Sequence, residues 1–578
     1  MNSTDINWIL LNKKLSGGEI MLKLPVGISD FKKLRDENCY YIDKSLLIKE
    51  ILDADSEVIL FPRPRRFGKT INLSMLRYYF EKSQDDRSYL FNDLAISSAE
   101  ERYKKVQSSY PVIFLTFKDV KQDTQKRAYI KLKQVIARLY KTHDYLLKGN
   151  TLGTFEKENY KRILSGQGDL VFYEMALKDL SDYLERYYQK RVFILIDEYD
   201  APIESGYLNG YYSKIINFMR NFLSGGFKDN PSLKKGVMTG ILRVAKESIF
   251  SGLNNLSVYS LINSKYNKYF GLLEEETEEI LSHYEMKDRL QEVKSWYNGY
   301  NFGGSTVYNP WSIIRYIEND GDAKPYWVNT SSNSIIKRLI SKDAEVKEDL
   351  ELLLKGENIQ KEVSDHIVYG EIDKHSDYIW SFFLLSGYLK AENVNLEKGK
   401  LMCDLKIPNL EVYYLYENII RDWFKVSIKN KQLNLMLKSL TTGDIETFEN
   451  IFQEFVLESM SFFDTDGNEP EKVYHAFVLG MLVYLNDHYE VKSNRESGYG
   501  RYDVMLIPED KNRKGIIMEF KKANLRKKES LEEAVDKALE QIEDRKYRQE
   551  LLDRGVTEIM ELGLAFAGKE VLVKVGKI

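Results

Sequence analysis

The chain has 578 residues, too many for one undivided core, which suggests two to four domains, and its 43% hydrophobic and 30% charged content is that of a soluble globular protein. A net charge of −4 excludes a uniformly basic nucleic-acid coat, although a local basic face stays compatible with it. Two distant cysteines, Cys39 and Cys403, and six scattered histidines offer no metal-ligand spacing and no disulfide framework, which fits a reducing cytoplasm.

The 40 tyrosines read as a composition bias as much as a functional signal. The longest apolar runs, such as Ala476 to Leu485, are too short to span a bilayer, so no membrane partner is expected. The N-terminus carries no charged-then-apolar signal pattern. Codons for Gly17-Gly18-Glu19 can spell a purine-rich ribosome-binding sequence just before Met21. Residues 1–21 are therefore expected to be an extension with no role in the fold, with Met21 as the natural start.

From Leu22, Phe31–Asn38 reads as polar helix or loop, and Leu46–Leu52 as a short amphipathic helix. Val58-Ile59-Leu60-Phe61 is a buried-type strand. Pro62-Arg63-Pro64-Arg65-Arg66-Phe67-Gly68-Lys69-Thr70 follows, and a helix is expected over Ile71–Lys82 with Leu73, Leu76, Tyr79 and Phe80 on one face. Strand, loop, Gly-Lys-Thr and helix form the context of a phosphate-binding loop. Backbone N–H groups at the helix start, together with its dipole, favour an anion there. Gly68 permits close approach of the backbone, Lys69 would reach the β- and γ-phosphates, and the Thr70 hydroxyl would hold Mg²⁺. Arg63 stands where the full pattern has its first glycine, and Pro62 and Pro64 stiffen the loop.

Val112–Phe117 is a second strand, followed by helical patterns around Thr124–Tyr145 and Leu170–Gln189. Val192-Phe193-Ile194-Leu195-Ile196 is a third strand, and it delivers Asp197 and Glu198 at its C-terminal end. In that position Asp197 would bind Mg²⁺ through water and Glu198 would polarise the attacking water. A helix over Tyr211–Leu223 leads to a strand, Gly236–Ile241. Thr239 on that strand is either a γ-phosphate sensor or a satisfied core threonine. Strands alternating with helices imply a doubly wound parallel α/β sheet.

These stretches, with Leu24-Pro25-Val26-Gly27-Ile28-Ser29-Asp30-Phe31, Tyr41-Ile42-Asp43-Lys44 and Thr239-Gly240-Ile241-Leu242-Arg243, resemble the AAA-ATPase-like proteins. In that family an arginine in place of the first glycine is normal. The resemblance covers roughly residues 22–300. It implies a P-loop NTPase fold over 22–270 and ATP as cofactor, bound by Arg65, Arg66, Phe67, Gly68, Lys69, Thr70, Asp197, Thr239 and Arg243. Arg65 and Arg243 stay open between phosphate contact and surface salt-bridging.

Residues 271–440 read as a mostly helical lid and linker. Trp296–Gly304 and Tyr308–Ser312 break the helices with aromatic and glycine turns, read as packing in preference to base stacking. A fresh pattern fills 445–578. It holds a helix over Glu471–Asp487, strands over Tyr489–Ser493, Arg501–Ile507 and Gly515–Lys521, a charged helix over Leu531–Glu543, and a strand near Leu562–Ala567.

Asp503 falls early on one strand, and Glu519 and Lys521 share a face of the next. Two carboxylates beside a lysine suit a Mg²⁺-dependent phosphodiesterase: the carboxylates hold the metal, and the lysine positions or deprotonates water. The element order, with Tyr474-His475, Glu496 to Asp503 and Gln541-Ile542, resembles the PD-(D/E)XK nuclease fold, also called restriction-endonuclease-like. That resemblance implies Asp503, Glu519 and Lys521 as catalytic residues, Gln541 as support, and a nucleic-acid substrate, DNA or RNA. Lys522, Arg526, Lys527 and Lys528 read as a solvated loop more than a phosphate contact. The combined expectation is an ATPase coupled to a Mg²⁺-dependent nuclease, with genome defence as one setting. The alternative is a nucleotide-switched binding protein whose nuclease fold no longer cuts. Assembly into a homo-oligomer is left open.

Overall fold

A computed structural model describes residues 21–243, 255–328, 334–342, 344–354, 356–364, 367, 369–372, 376–427, 430–459, 478, 482, 485, 488–493, 496–497, 500–501, 503–523, 529–567 and 570–576. Residues 1–20, most of the helix expected over Glu471–Asp487, and Arg526–Lys528 lie outside these. The chain divides into two units, Met1–Ile335 with Gln360–Val412, and Ile336–Ile359 with Tyr413–Ile578.

The first unit is built on five strands: β1 (Val58–Pro62), β2 (Val112–Thr116), β3 (Val192–Asp197), β4 (Leu233–Gly240) and β5 (Leu256–Val258). Their order is β2-β3-β4-β1-β5 and every pairing is parallel. β1 and β3 are buried along their whole length, because helices cover the sheet and each strand is an unbroken apolar run. The helix Tyr212–Phe227 presents Ile215, Met219, Phe222 and Phe227 to that core. In register, Phe61 lies opposite Thr239, and Thr116 opposite Asp197. The polar strand ends therefore gather at one edge of the sheet, where ligands bind in such folds.

The helix after β1 runs from Lys69 to Phe80, two residues earlier than Ile71. Gly68 sits before it at φ +80, a left-handed conformation that glycine takes without steric cost. Lys69 and Thr70 thus occupy its first turn, where the unpaired N–H groups point outward. The N-terminal segment lies against this helix. Phe31 N donates to Ser74 Oγ (2.9 Å), and Tyr78 Oη to Asp30 Oδ2 (2.9 Å).

Two small antiparallel sheets complete the unit. β6 (Leu272–Leu273), β7 (Tyr300–Phe302) and β8 (Ser305–Tyr308) form one. β9 (Ile359–Glu362), β10 (Lys390–Glu397) and β11 (Lys400–Lys406) form the other. Tyr300 and Phe302 pack on Phe67 with ring centroids 4.9 and 5.1 Å away, and Trp327 packs on Tyr388 at 5.2 Å.

Glu411 is fully buried in this region and accepts hydrogen bonds from Ser312 Oγ (2.8 Å) and Trp327 N. Those donors favour its ionised form, but burial outweighs them and pushes its pKa up to about 7 from 4.5. The folded chain then holds this proton more tightly than the unfolded one. Its contribution is full below about pH 4.5 and is lost as pH rises through about 7, roughly 3 kcal/mol in all. The melting temperature is expected to fall more steeply from pH 5 to pH 7.5 in wild type than in Glu411→Gln. Equal slopes would contradict this account.

The second unit carries β12 (Tyr489–Ser493), a ribbon of β13 (Glu496–Ser497) and β14 (Gly500–Arg501), then β15 (Val504–Pro508), β16 (Gly515–Lys522), β17 (Ile559–Ala567) and β18 (Glu570–Val575). The main sheet has the order β12-β15-β16-β17-β18, with β16 and β17 parallel and its other pairs antiparallel. Alternation along β16 sends Ile516, Met518 and Phe520 into a core with Leu433, Phe452 and Phe566. Ile517 instead faces Ile542 and Tyr547. Glu519 and Lys521 share the Ile517 face, toward the helix Leu531–Arg545, which Ser530 and Glu533 cap reciprocally.

Candidate functional site

In the first unit the carboxylate of Asp197, fully buried, collects three hydroxyls. Thr70 Oγ1 lies 2.8 Å and Thr116 Oγ1 3.4 Å from Oδ2, and Thr239 Oγ1 lies 2.7 Å from Oδ1. Burial raises the Asp197 pKa, and the Thr239 and Thr70 hydroxyls oppose that by stabilising the anion. Lys69 is 5% exposed and donates from Nζ to the carbonyls of Arg63 (2.9 Å) and Pro64 (2.7 Å). Burial pulls its pKa below the ordinary lysine value, with Glu198, Asp197 and Asp200 pulling the other way. A cation held this way lacks a full counter-charge, which a phosphate would supply.

Glu198 follows β3 at φ +50. That left-handed turn is costly for a non-glycine residue, by about 1–3 kcal/mol. It lets Asp197 point toward Thr70 while Glu198 lines a cavity of about 440 Å³. Arg65, Arg66, Gly68, Lys69 and Thr70 line the same cavity, together with Lys118 and Lys121 from the turn after β2. Lys121 Nζ comes 4.0 Å from Glu198.

Among the described residues lining this cavity, Phe67, Asp197, Thr239 and Arg243 are absent. Phe67 points into the aromatic pack, and Thr239 is spent on Asp197. Arg65 is held by Glu204 through Nη2, at 2.6 and 2.8 Å. Arg66 lies over Trp311, 4.3 Å from the ring centroid. Arg63 is fully buried, donates to the carbonyls of Pro62 (2.8 Å) and Tyr259 (2.5 Å), and stacks near Phe270 and Phe302. Burial pushes its pKa down to about 9. The arginine that replaces the pattern's first glycine therefore works as a strut beneath the loop.

Asp200, Glu204 and Trp311 were not read from the sequence as site residues. Asp200 accepts from Ile241 N (2.7 Å) and Leu242 N (3.0 Å), fastening the turn after β4, and burial pushes its pKa up to about 6. A side chain at Gly240 would meet Tyr199 at 2.7 Å and Asp200 at 2.8 Å, so only glycine fits there. Asp200 had a signal, three residues past Asp197. Trp311 had one in the aromatic turn Tyr308–Ser312, which was read as packing, and Glu204 had none.

In the second unit Asp503 precedes β15, where the sequence had placed it inside a strand. The physical reason is visible in its bonds. Asp503 N donates to Glu519 Oε2 (3.3 Å), and its carboxylate accepts from Phe520 N (2.7 Å), so the ladder starts one residue later, at Val504 opposite Met518. Glu519 is 1% exposed and takes Lys521 Nζ at 3.2 Å and Gln541 Nε2. Burial first, then the neighbouring Asp503, pushes the Glu519 pKa up to about 8. Tyr547, also missed in the sequence, approaches Gln541 at 3.4 Å through its hydroxyl.

Both donor sets fit Mg²⁺. Thr70 with Asp197, and Asp503 with Glu519, are hard oxygen ligands, and two crowded carboxylates are what a divalent cation would relieve. No cluster of three or more His, Cys, Asp or Glu suited to a metal occurs among the described residues, so water or phosphate oxygens would complete each shell. No helix among the described residues is long and apolar enough to cross a membrane.

Over nearly its whole length the chain is similar to an uncharacterized protein encoded in the vnfD 5' region of Azotobacter chroococcum mcd 1. The two are 24% identical over 560 residues, 94% of this chain and 96% of the relative. A family model described as predicted AAA-ATPase matches residues 25–250, and one described as PD-(D/E)XK nuclease superfamily matches residues 469–575. With the parallel sheet inside the first matched segment and the mixed sheet inside the second, the chain joins an AAA-ATPase-like domain to a PD-(D/E)XK nuclease superfamily domain.

Proposed function

We propose that the chain hydrolyses ATP at the Lys69–Thr70–Asp197–Glu198 site and uses that cycle to gate Mg²⁺-dependent cleavage of nucleic acid at the Asp503–Glu519–Lys521 site. The observation that supports this reading is that Thr70 bonds to Asp197 with Lys69 and Glu198 on the adjoining cavity in one unit, while hydrogen bonds link Asp503, Glu519 and Lys521 in the other. A defence setting is read only from the pairing of a nucleotide switch with a nuclease.

At the first site Lys69 and the N–H groups of the helix start would hold the β- and γ-phosphates. Thr70 and Asp197 would hold Mg²⁺, which neutralises charge on the transferring phosphoryl group. Glu198 would orient and polarise the attacking water, with Lys121 beside it. Arg66 lines the cavity as a second cation for phosphate. Glu198→Gln is expected to keep ATP affinity within a few-fold and to lose hydrolysis about a hundredfold or more. Equal turnover by Glu198→Gln and wild type would remove Glu198 from that role.

At the second site Asp503 and Glu519 would hold Mg²⁺, which supplies an activated water and stabilises the phosphorane charge. Lys521 would position that water, and Gln541 keeps Glu519 oriented. The direct experiment is cleavage of a panel of single- and double-stranded DNA and RNA by the purified full chain, with and without Mg²⁺ and ATP. No cleavage of any member, with ATP binding intact, would favour the binding-switch alternative.

A further inference from the structure

Two separate lines of contact leave the phosphate loop and meet at one buried carboxylate. The first starts at Arg65. Its carbonyl accepts from Asn309 Nδ2 (3.4 Å), and Asn309 Oδ1 caps the helix Pro310–Glu318 by accepting from Trp311 N (2.9 Å). In the first turn of that helix Ser312 Oγ donates to Glu411 Oε2 (2.8 Å). The second line starts at Pro64. A Cβ on Gly387 would meet the Pro64 Cβ at 2.9 Å, so the backbone there lies directly on the loop. Tyr388 follows and packs on Trp327 with ring centroids 5.2 Å apart, and Trp327 N donates to Glu411 Oε1.

Glu411 stands in the first turn of the helix Leu410–Ser427. Asn409 fixes that turn, accepting from Val412 N (3.1 Å) at Oδ1 and donating from Nδ2 to the Asn298 carbonyl (2.8 Å). The chain passes from the first unit into the second after Ile335 and again after Val412. Trp327 precedes the first of these points, and Glu411 immediately precedes the second. One carboxylate therefore ties the roots of two segments that enter the second unit to two adjacent residues of the loop.

We infer that nucleotide at the Arg65–Thr70 loop is signalled toward the second unit through Glu411, which acts as a positioning residue for the start of the helix Leu410–Ser427. The role presupposes the phosphate loop and the gating proposed above. The input is at Lys69, which donates to the carbonyls of Arg63 (2.9 Å) and Pro64 (2.7 Å). A triphosphate that draws the ammonium to its own oxygens competes with both, so Pro64 shifts against Gly387 and Arg65 against Asn309. Glu411 is fully buried, and a donor lost there is not replaced by water, so its donors and its carboxylate move together. Displacement along either line is thereby carried to the helix start.

Amide hydrogen exchange of the helix Leu410–Ser427 in the full chain, with and without ATP and Mg²⁺, tests this beside calorimetric ATP titration and cleavage of the nucleic-acid panel. In wild type, ATP changes exchange in that helix. Glu411→Ala and Ser312→Ala each keep ATP affinity within about threefold and reduce the ATP effect on exchange about fivefold or more. Glu411→Gln still offers an acceptor to Trp327 N and a partner to Ser312 Oγ, and it retains most of the effect. An undiminished ATP effect in the folded alanine variants overturns the role of Glu411, as does loss of ATP affinity in step with the effect. If Glu411→Ala does not fold, Ser312→Ala decides. Wild type whose cleavage responds to ATP while the helix does not overturns the route and leaves gating standing. Wild type that binds ATP with neither responding overturns gating and route together. A helix response that Ser312→Ala removes, in a protein that cleaves nothing, supports the route within the binding-switch alternative.

Discussion

Lys69→Ala is expected to abolish ATP binding at micromolar concentrations, a loss of a hundredfold or more in affinity. The ammonium lies inside the loop, 5% exposed, next to the first turn of the Lys69–Phe80 helix. A triphosphate entering the variant would be desolvated beside Asp197 and Glu198 without the cation that offsets them, and losing a charge-assisted bond in such a setting costs about 3 kcal/mol or more. The variant should still fold. Lys69 donates only to the Arg63 and Pro64 carbonyls, and the loop is also fixed by Arg65 on Glu204 and by Phe67 in its aromatic pack. Titration with ATP, next to a melting curve, measures both halves. Wild-type affinity in a folded Lys69→Ala protein would end the phosphate-loop assignment.

Asp503→Ala and Lys521→Ala should each lower nucleic-acid cleavage about a hundredfold or more while ATP hydrolysis stays near wild type, since the two sites belong to different units. Removing Asp503 takes away one of the two carboxylates proposed to hold Mg²⁺ and also strips the Phe520 N–H of its acceptor. Removing Lys521 leaves Glu519 with Gln541 and the Asp503 N–H as partners, so its place is kept while the water loses its guide. Cleavage that survives both changes would come from another site or another protein. The cross-experiment separates coupling from coexistence. If ATP gates cleavage, Lys69→Ala depresses it as well, although Lys69 sits in the other unit. Cleavage indifferent to ATP and to Lys69→Ala would describe two independent enzymes on one chain.

Local patterns carried the candidate site residues into view. An apolar strand followed by Gly-Lys-Thr and a helix is a contiguous signal, and so is an apolar strand that ends in Asp-Glu, because period and capping operate within a few residues. The strands around Glu519 and Lys521 were legible for the same reason, down to the shared face. Short elements without a full period were not. β5 has three residues, and its place beside β1 depends on pairing with a strand almost 200 positions earlier in the chain. β18 pairs back onto β17 and was likewise missed.

By itself the sequence determined the two domain types, the main strands and helices around each candidate site and the candidate charged groups at their ends, because each depends on neighbours a few residues away. Tertiary structure alone decided how those groups are used. It turned Arg63 into a buried strut, gave Arg65 to Glu204, spent Thr239 on Asp197, and set Asp503 before its strand to hold the Phe520 N–H. It also brought Trp311, about 240 residues beyond the loop, over Arg66, and buried Glu411 against Ser312. The physical reason is common to all of these. An ion pair, a cation–aromatic contact or a buried acceptor is a property of two groups at a few ångströms, and no periodicity within one segment encodes which distant segment will supply the second group.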